Sequence, residues 1–228
     1  MEKNSISYID KIPENVNLTV KENKALHLEL ASFSMLGNHN INIDVLKNGS
    51  LEIGFADFSH DSGKVIVNVN LLGEGAELTW NLASLSTNKD LKEFSPSVYH
   101  KAPCTRAVMK NYGIARDESS LFFFGESSIP HGSIKSFTRQ EAKIIVFDEK
   151  CKGKASPILK ISENDVEASH GAAVGRLNES HVFYLMSRGL TLEEAKRLIT
   201  LGYLKPIENC FEEESVRQRI GSAIEGGI

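Results

Sequence analysis

The hydrophobic period of this sequence changes once, near residue 165, and that change limits the architectures open to it. Before it, apolar residues alternate with polar ones in short runs: Leu26-His-Leu-Glu-Leu30, Ile41-Asn-Ile-Asp-Val45, Leu51-Glu-Ile53, Val65-Ile-Val-Asn-Val69 and Leu78-Thr-Trp-Asn-Leu82. Leu121-Phe-Phe-Phe124, Ile144-Ile-Val-Phe147 and Ile158-Leu-Lys-Ile161 continue the series. A period of two puts every second side chain on one face, the signature of a half-buried strand. Gly37-Asn38, Asn48-Gly49, Asp61-Ser-Gly63, Gly73-Glu-Gly75, His131-Gly132 and Lys152-Gly153 punctuate the runs as turns. Many short strands with no helix between them predict an all-β region, leaving a sandwich, a barrel and a solenoid open. Several strands begin with a small residue before the alternation, as in Asn48-Gly-Ser-Leu-Glu-Ile53 and Gly132-Ser-Ile-Lys-Ser-Phe137. Such phrases suit the corners of stacked coils, although their spacing is uneven.

After residue 165 the period is helical. Asn178 is placed to cap a helix carrying Val182, Phe183, Leu185 and Met186, with Gly189 at its C-terminal end. Thr191-Leu-Glu-Glu194 is a capping box opening a second helix whose inner face is expected to carry Ala195, Leu198, Ile199 and Leu201 or Gly202. Beyond Pro206 a third helical stretch is expected from about Ile207 to Ile220, before the Gly226-Gly227 end. The chain divides on this reading into a β domain, residues 1–165, and a helical subdomain, residues 166–228. The tail is too small to bury its own apolar faces, so it must lean on the β region or on a partner.

The chemistry-bearing residues are dispersed. Lys and Arg number 26 against 30 Asp and Glu, a net charge of −4, which argues against a nucleic-acid-coating surface. No apolar run approaches the ~18 residues of a membrane span, and the first residues lack the layout of a secretion signal. Three cysteines make no disulfide framework, so a reducing cytosol is expected. Cys104 is expected to pack as a small hydrophobe and Cys210 to sit on the third helix, while Lys150 and Lys152 should lower the pKa of Cys151. No two cysteines have metal-ligand spacing, the seven histidines are scattered, and His60-Asp61 would point to opposite faces of a strand. Nucleophile-elbow, zincin, P-loop and dinucleotide motifs are missing. At the junction Asn164-Asp-Val-Glu-Ala-Ser-His170-Gly-Ala-Ala-Val-Gly175, His170 is the one large polar group in a small-residue segment that reads as a tight crossover from strand to helix.

That junction, followed by Phe183-Tyr-Leu-Met-Ser-Arg-Gly-Leu190, Glu193-Glu-Ala195 and Leu198-Ile199, resembles the C-terminal signature of the SufB/SufD family of iron–sulfur cluster assembly subunits. The likeness extends upstream through Pro157-Ile-Leu-Lys-Ile161, Gln140 and His100-Lys-Ala-Pro103. It implies a right-handed parallel β-helix followed by C-terminal helices. In SufB a cysteine follows the glutamine matching Gln140 and an acidic residue follows the junction histidine. Glu141 and Gly171 stand there in this chain, so it resembles SufD, in a shortened form. Cys104 lies where the family usually has asparagine, so it does not match SufB's sulfur-receiving cysteine.

The resemblance implies a non-enzymatic, cytoplasmic subunit. It would dock a SufC-type ABC ATPase through its C-terminal helices and pair with a SufB-type subunit or with itself, without nucleic acid or membrane. Phe183, Leu198 and Ile199 are the expected partner contacts, and His170 the expected interface or cluster ligand, the one metal- or cofactor-binding residue carried over. The isolated chain should hold no stable cofactor, an iron–sulfur cluster being bound transiently in the complex. Two other classes remain open: a β-helix enzyme acting on polysaccharide in a groove lined by carboxylates, and a self-associating scaffold with no cluster role.

Overall fold

The computed structural model describes residues 3–226, so Met1, Glu2, Gly227 and Ile228 lie outside the described residues. The strands are β1 (Lys3–Ile9), β2 (Asn15–Val20), β3 (Ala25–Ser32), β4 (Gly37–Val45), β5 (Ser50–Asp57), β6 (Gly63–Leu71), β7 (Glu77–Ser86) and β8 (Leu91–His100). They continue as β9 (Arg106–Ala115), β10 (Ser120–Phe123), β11 (Glu126–Ile129), β12 (Ser136–Val146), β13 (Lys152–Ala155), β14 (Ile158–Ile161) and β15 (Val166–Arg176). Successive strands alternate between two parallel sheets, except that β10 and β11, and likewise β13 and β14, follow one another in the same sheet. One has the order β1-β3-β5-β7-β9-β12-β15; the other runs β13-β10-β8-β6-β4-β2, with β11 and β14 extending the β10 and β13 lines. The result is a β-solenoid of about six turns.

In-register parallel pairing keeps equivalent side chains on the same face, so inward residues form columns through the turns. Leu28, Ile53, Trp80 and Met109 form one buried column. Phe55, Phe94 and Phe123 fill the space between the sheets edge to face, with centroids 5.6 and 6.0 Å apart. The corners repeat too. Asn23, Asn48, Gly75, Cys104 and Lys135 all have left-handed φ and each donates its amide to the carbonyl before the equivalent residue of the next turn, or to Asp165 at the last. A left-handed corner favours asparagine or glycine. The packed role expected for Cys104 is therefore overturned: it is an exposed corner residue.

The solenoid does not end near residue 165. Residues 166–176, read as a crossover, form the longest unbroken edge strand, hydrogen-bonded along β12 from Ser136↔Val166 to Val146↔Arg176. Small residues obscure its strand character because the strand is fixed by its neighbour rather than by its own periodicity. Lys152-Gly153 likewise lies in β13, not in a turn. Helices follow: α1 (Glu179–Ser187), α2 (Leu192–Leu204) and α3 (Glu214–Gly226), with a 3-10 helix, Lys205–Cys210, before α3. Asn178 caps α1 and the Thr191–Glu194 capping box opens α2. The third helical stretch is thus broken, and Cys210 packs from the 3-10 turn.

The tail folds back over the outer face of the first sheet. Leu204, Ile207, Phe211, Val216, Ile220 and Ile224 are buried there against Ala31, Ala56, Ala83, Leu85 and Ile114. Each fully buried aliphatic side chain contributes about 1.5–3 kcal/mol. Polar contacts fix the seat: His27 Nε2 meets the Cys210 carbonyl at 2.9 Å, and the Glu212 amide donates to Glu29 at 2.6 Å. The Cβ that Gly54 lacks would lie 2.6 Å from the Cys210 Cβ, so only glycine lets the turn approach this closely.

Candidate functional site

The β15 edge is the exposed end of the structured solenoid, and His170 sits in its middle. His170 is the register partner of Gln140, which pairs with Met109, so the imidazole continues the inward column at the open mouth. It is exposed, and no hydrogen bond or ion pair engages it among the described residues. Backbone groups therefore do not satisfy it. Behind it Gln140 is buried; its Nε2 donates to Ser127 Oγ at 2.8 Å and to the Ile158 carbonyl at 3.0 Å. Its Oε1 has no partner and occupies space left by Gly125, whose Cβ would stand 2.5 Å away.

On the outward side, Arg139, Glu141 and Lys143 of β12 stand beside Ser169, Gly171 and Ala173 of β15. Together with His170 they line a cavity of about 290 Å³. A Cβ at Gly171 or Gly175 would meet nothing within 4 Å, so the chain's own packing does not demand glycine there. The Lys143 ammonium, bonded to Glu141, holds that carboxyl below the ordinary glutamate range.

The expected partner contacts do not gather at this edge. Phe183 is 74% exposed on α1 and Leu198 is 49% exposed on α2, with Ile199 half-buried. Of the residues expected on the inner face of α2, Ala195 is buried, but Leu198 is not; Thr200 and Leu204 take the other buried positions. The helix seats through its C-terminal end, so its inward stripe is set by the sheet beneath rather than by its most apolar face. Tyr184, Met186 and Leu192 are exposed as well.

The cysteines lie apart from the edge. Burial raises the thiol pKa of Cys210 to about 11 and also raises that of Cys151, overturning the effect expected from its flanking lysines. Lys150 is instead bonded to Glu118. Among the described residues no three His, Cys, Asp or Glu side chains are arranged to hold a metal ion. No described helix is long and apolar enough to cross a membrane.

The family model for "SUF system FeS cluster assembly, SufBD core domain" matches residues 16–203, which include the edge strand, α1 and nearly all of α2. The chain belongs to the SufBD family. The SufD protein of Bacillus subtilis is 35% identical over 156 residues, 68% of this chain and 36% of its own length. The Escherichia coli SufD protein is 25% identical over 211 residues, 88% of this chain and 49% of its own. A SufBD family protein of Staphylococcus saprophyticus is 24% identical over 162 residues, 71% and 35%. The chain is SufD-like and spans between a third and a half of the curated relatives it matches.

The sequence did not signal the Glu141–Lys143 pair as part of this site. Its one sequence mark is that Glu141 stands where SufB has cysteine. Tyr112 of β9, over whose ring Lys143 lies, and Tyr203 of α2, which packs on Tyr112, bring no motif at all.

Proposed function

We infer that this protein is a non-enzymatic, SufD-like subunit of a SUF-type iron–sulfur cluster assembly complex in a reducing cytosol. In this reading β15 pairs with a SufB-type subunit or a second copy, and His170 supplies an imidazole to the cluster passing through that junction. The exposed side of α1 and α2, with Phe183, Leu198 and Ile199, docks a SufC-type ABC ATPase.

The observation that carries the reading is an eleven-residue edge strand with an exposed, unbonded histidine at its centre. An unpaired strand edge seeks a further strand, and neutral imidazole is a good iron ligand. One imidazole is a single ligand, so the other ligands must come from the partner and the isolated chain retains no stable cluster. A polysaccharide-cleaving site is less well supported: Glu29 and Glu52 share one face, but both contact His27 beneath the tail.

The test is cluster formation by the assembled complex carrying His170→Ala or His170→Gln, followed by visible absorption and iron content. Cluster yield is expected to fall severalfold in both, with the melting temperature nearly unchanged because the side chain is exposed. Normal assembly in both variants removes His170 from the pathway. Separately, Leu198→Asp with Ile199→Asp is expected to abolish ATPase co-purification; retained binding rejects the docking assignment.

A further inference from the structure

A second cavity, of about 350 Å³, lies between the tail and the outer face of the first sheet, and no residue of β15 lines it. Asn81 of β7 and Lys110 and Tyr112 of β9 form one side. The end of α2 and the 3-10 turn form the other, with Leu204, Pro206 and Ile207 as an apolar wall. Apolar walls with a few polar groups, at this size, are the usual make-up of a small-molecule site. Lys110 is the one charged side chain in the lining, and it is exposed, with no hydrogen bond or ion pair among the described residues. Burial raises the pKa of both phenols, Tyr112 and Tyr203, and that of the Cys210 thiol to about 11, so at neutral pH none of the three adds a negative charge. The carboxylates whose charge reaches those groups are engaged elsewhere: Glu29 and Glu52 contact His27, and Glu141 is bonded to Lys143. Gly202 supplies an independent observation. It lies within α2, where glycine is a poor helix former, yet a Cβ there would meet nothing within 4 Å. No contact inside the chain calls for glycine at that point, but Gly202 borders the cavity and keeps that side of it open.

We propose that this cavity binds a small organic carboxylate with an apolar body, which enters past Gly202, sets its carboxylate on Lys110 and lays its body against Leu204, Pro206 and Ile207. A charge-assisted bond to the ammonium fixes the orientation, and burial of the apolar body supplies the rest of the affinity. An inorganic anion would leave the apolar wall uncovered, and a neutral molecule would leave Lys110 unmatched. Nothing in this site draws on the reading of the chain as an assembly subunit.

The test titrates the full chain with phenylpropanoate as the probe, followed by amide-resolved NMR, with acetate and phenylpropanol as its charged and apolar halves. Phenylpropanoate should bind saturably, with the shifts gathered on Lys110, Gly202 and Ile207, and each half should bind at least about tenfold more weakly. Phenylpropanol binding as tightly as the acid overturns the anion assignment, and acetate doing so overturns the apolar one. Lys110→Met keeps the length of the side chain but removes its charge. It should weaken the probe about tenfold with the melting temperature unchanged, since the position is exposed. Gly202→Leu puts a side chain into the open side and should abolish binding; leucine is the better helix former, so the melting temperature should not fall. Undiminished binding in either variant overturns the proposal. So does a wild-type chain that leaves the probe unbound, or shifts that gather away from the cavity.

Discussion

His100 shows how one buried ring couples this fold to pH. It is fully buried at a corner, Nδ1 2.8 Å from Thr105 Oγ1, while Nε2 has no partner. Thr105 Oγ1 is within reach of the Ala102 carbonyl, so the neutral ring donating from Nδ1 satisfies the local network. Protonating Nε2 would bury a charge and an unmet donor together. Burial accordingly lowers the pKa from 6.5 to about 4. Between those values the unfolded chain binds more protons than the folded one, so stability rises with pH across that window. This contribution is fully present above the unfolded pKa, and as pH falls about 2–4 kcal/mol of it is lost. His100→Asn keeps a donor near the Nδ1 position but does not titrate. Urea unfolding at pH 7, 5.5 and 4.5 should show a shallower loss in the variant, and parallel curves would rule out this account.

Among the elements, those whose inward positions are apolar were legible and those that bury polar groups were not. The runs at 26–30, 41–45, 65–69 and 78–82 all lie within observed strands because their inward side chains are aliphatic or Trp80. Strand β8 was hidden by inward Lys92, Pro96 and His100, acceptable only because the fold supplies partners: Lys92 meets Asp57 at 2.9 Å, both fully buried. Strand β12 buries Ser136, Thr138 and Gln140 in the same way. The helix caps were readable because capping is local, whereas the seat of the tail depends on Gly54, more than 150 positions upstream of Cys210. Gly54→Ala puts a methyl group into the Cys210 contact and should cost about 1–3 kcal/mol by overpacking. The loss should fall on the tail: limited proteolysis is expected to cut between α1 and α3 while the β circular dichroism persists. A tail as resistant as wild type would mean that the contact relaxes freely.

At the scale of the whole molecule, the two sheets end differently at the β15 end of the solenoid. The second sheet closes with β13 and β14, four residues each, broken by Ser156-Pro157 and carrying Lys152, Lys154 and Lys160. Short strands, proline and exposed lysines are the ordinary protection of a sheet edge. The first sheet closes with β15, eleven residues with no lysine or proline. One edge is guarded and the other left open, so pairing should run through β15 alone. Replacing Ser169 and Ala173 by lysine places two charges on its outward face without entering the core, and leaves the backbone bonds to β12 intact. Sedimentation of the chain, alone and mixed with a SufB-type subunit, should show pairing for wild type and for Lys154→Ala. The doubly substituted chain should sediment as a monomer with an unchanged melting temperature. If pairing survives the two lysines but fails in Lys154→Ala, the contact belongs to the guarded edge, and β15 is open for some other reason.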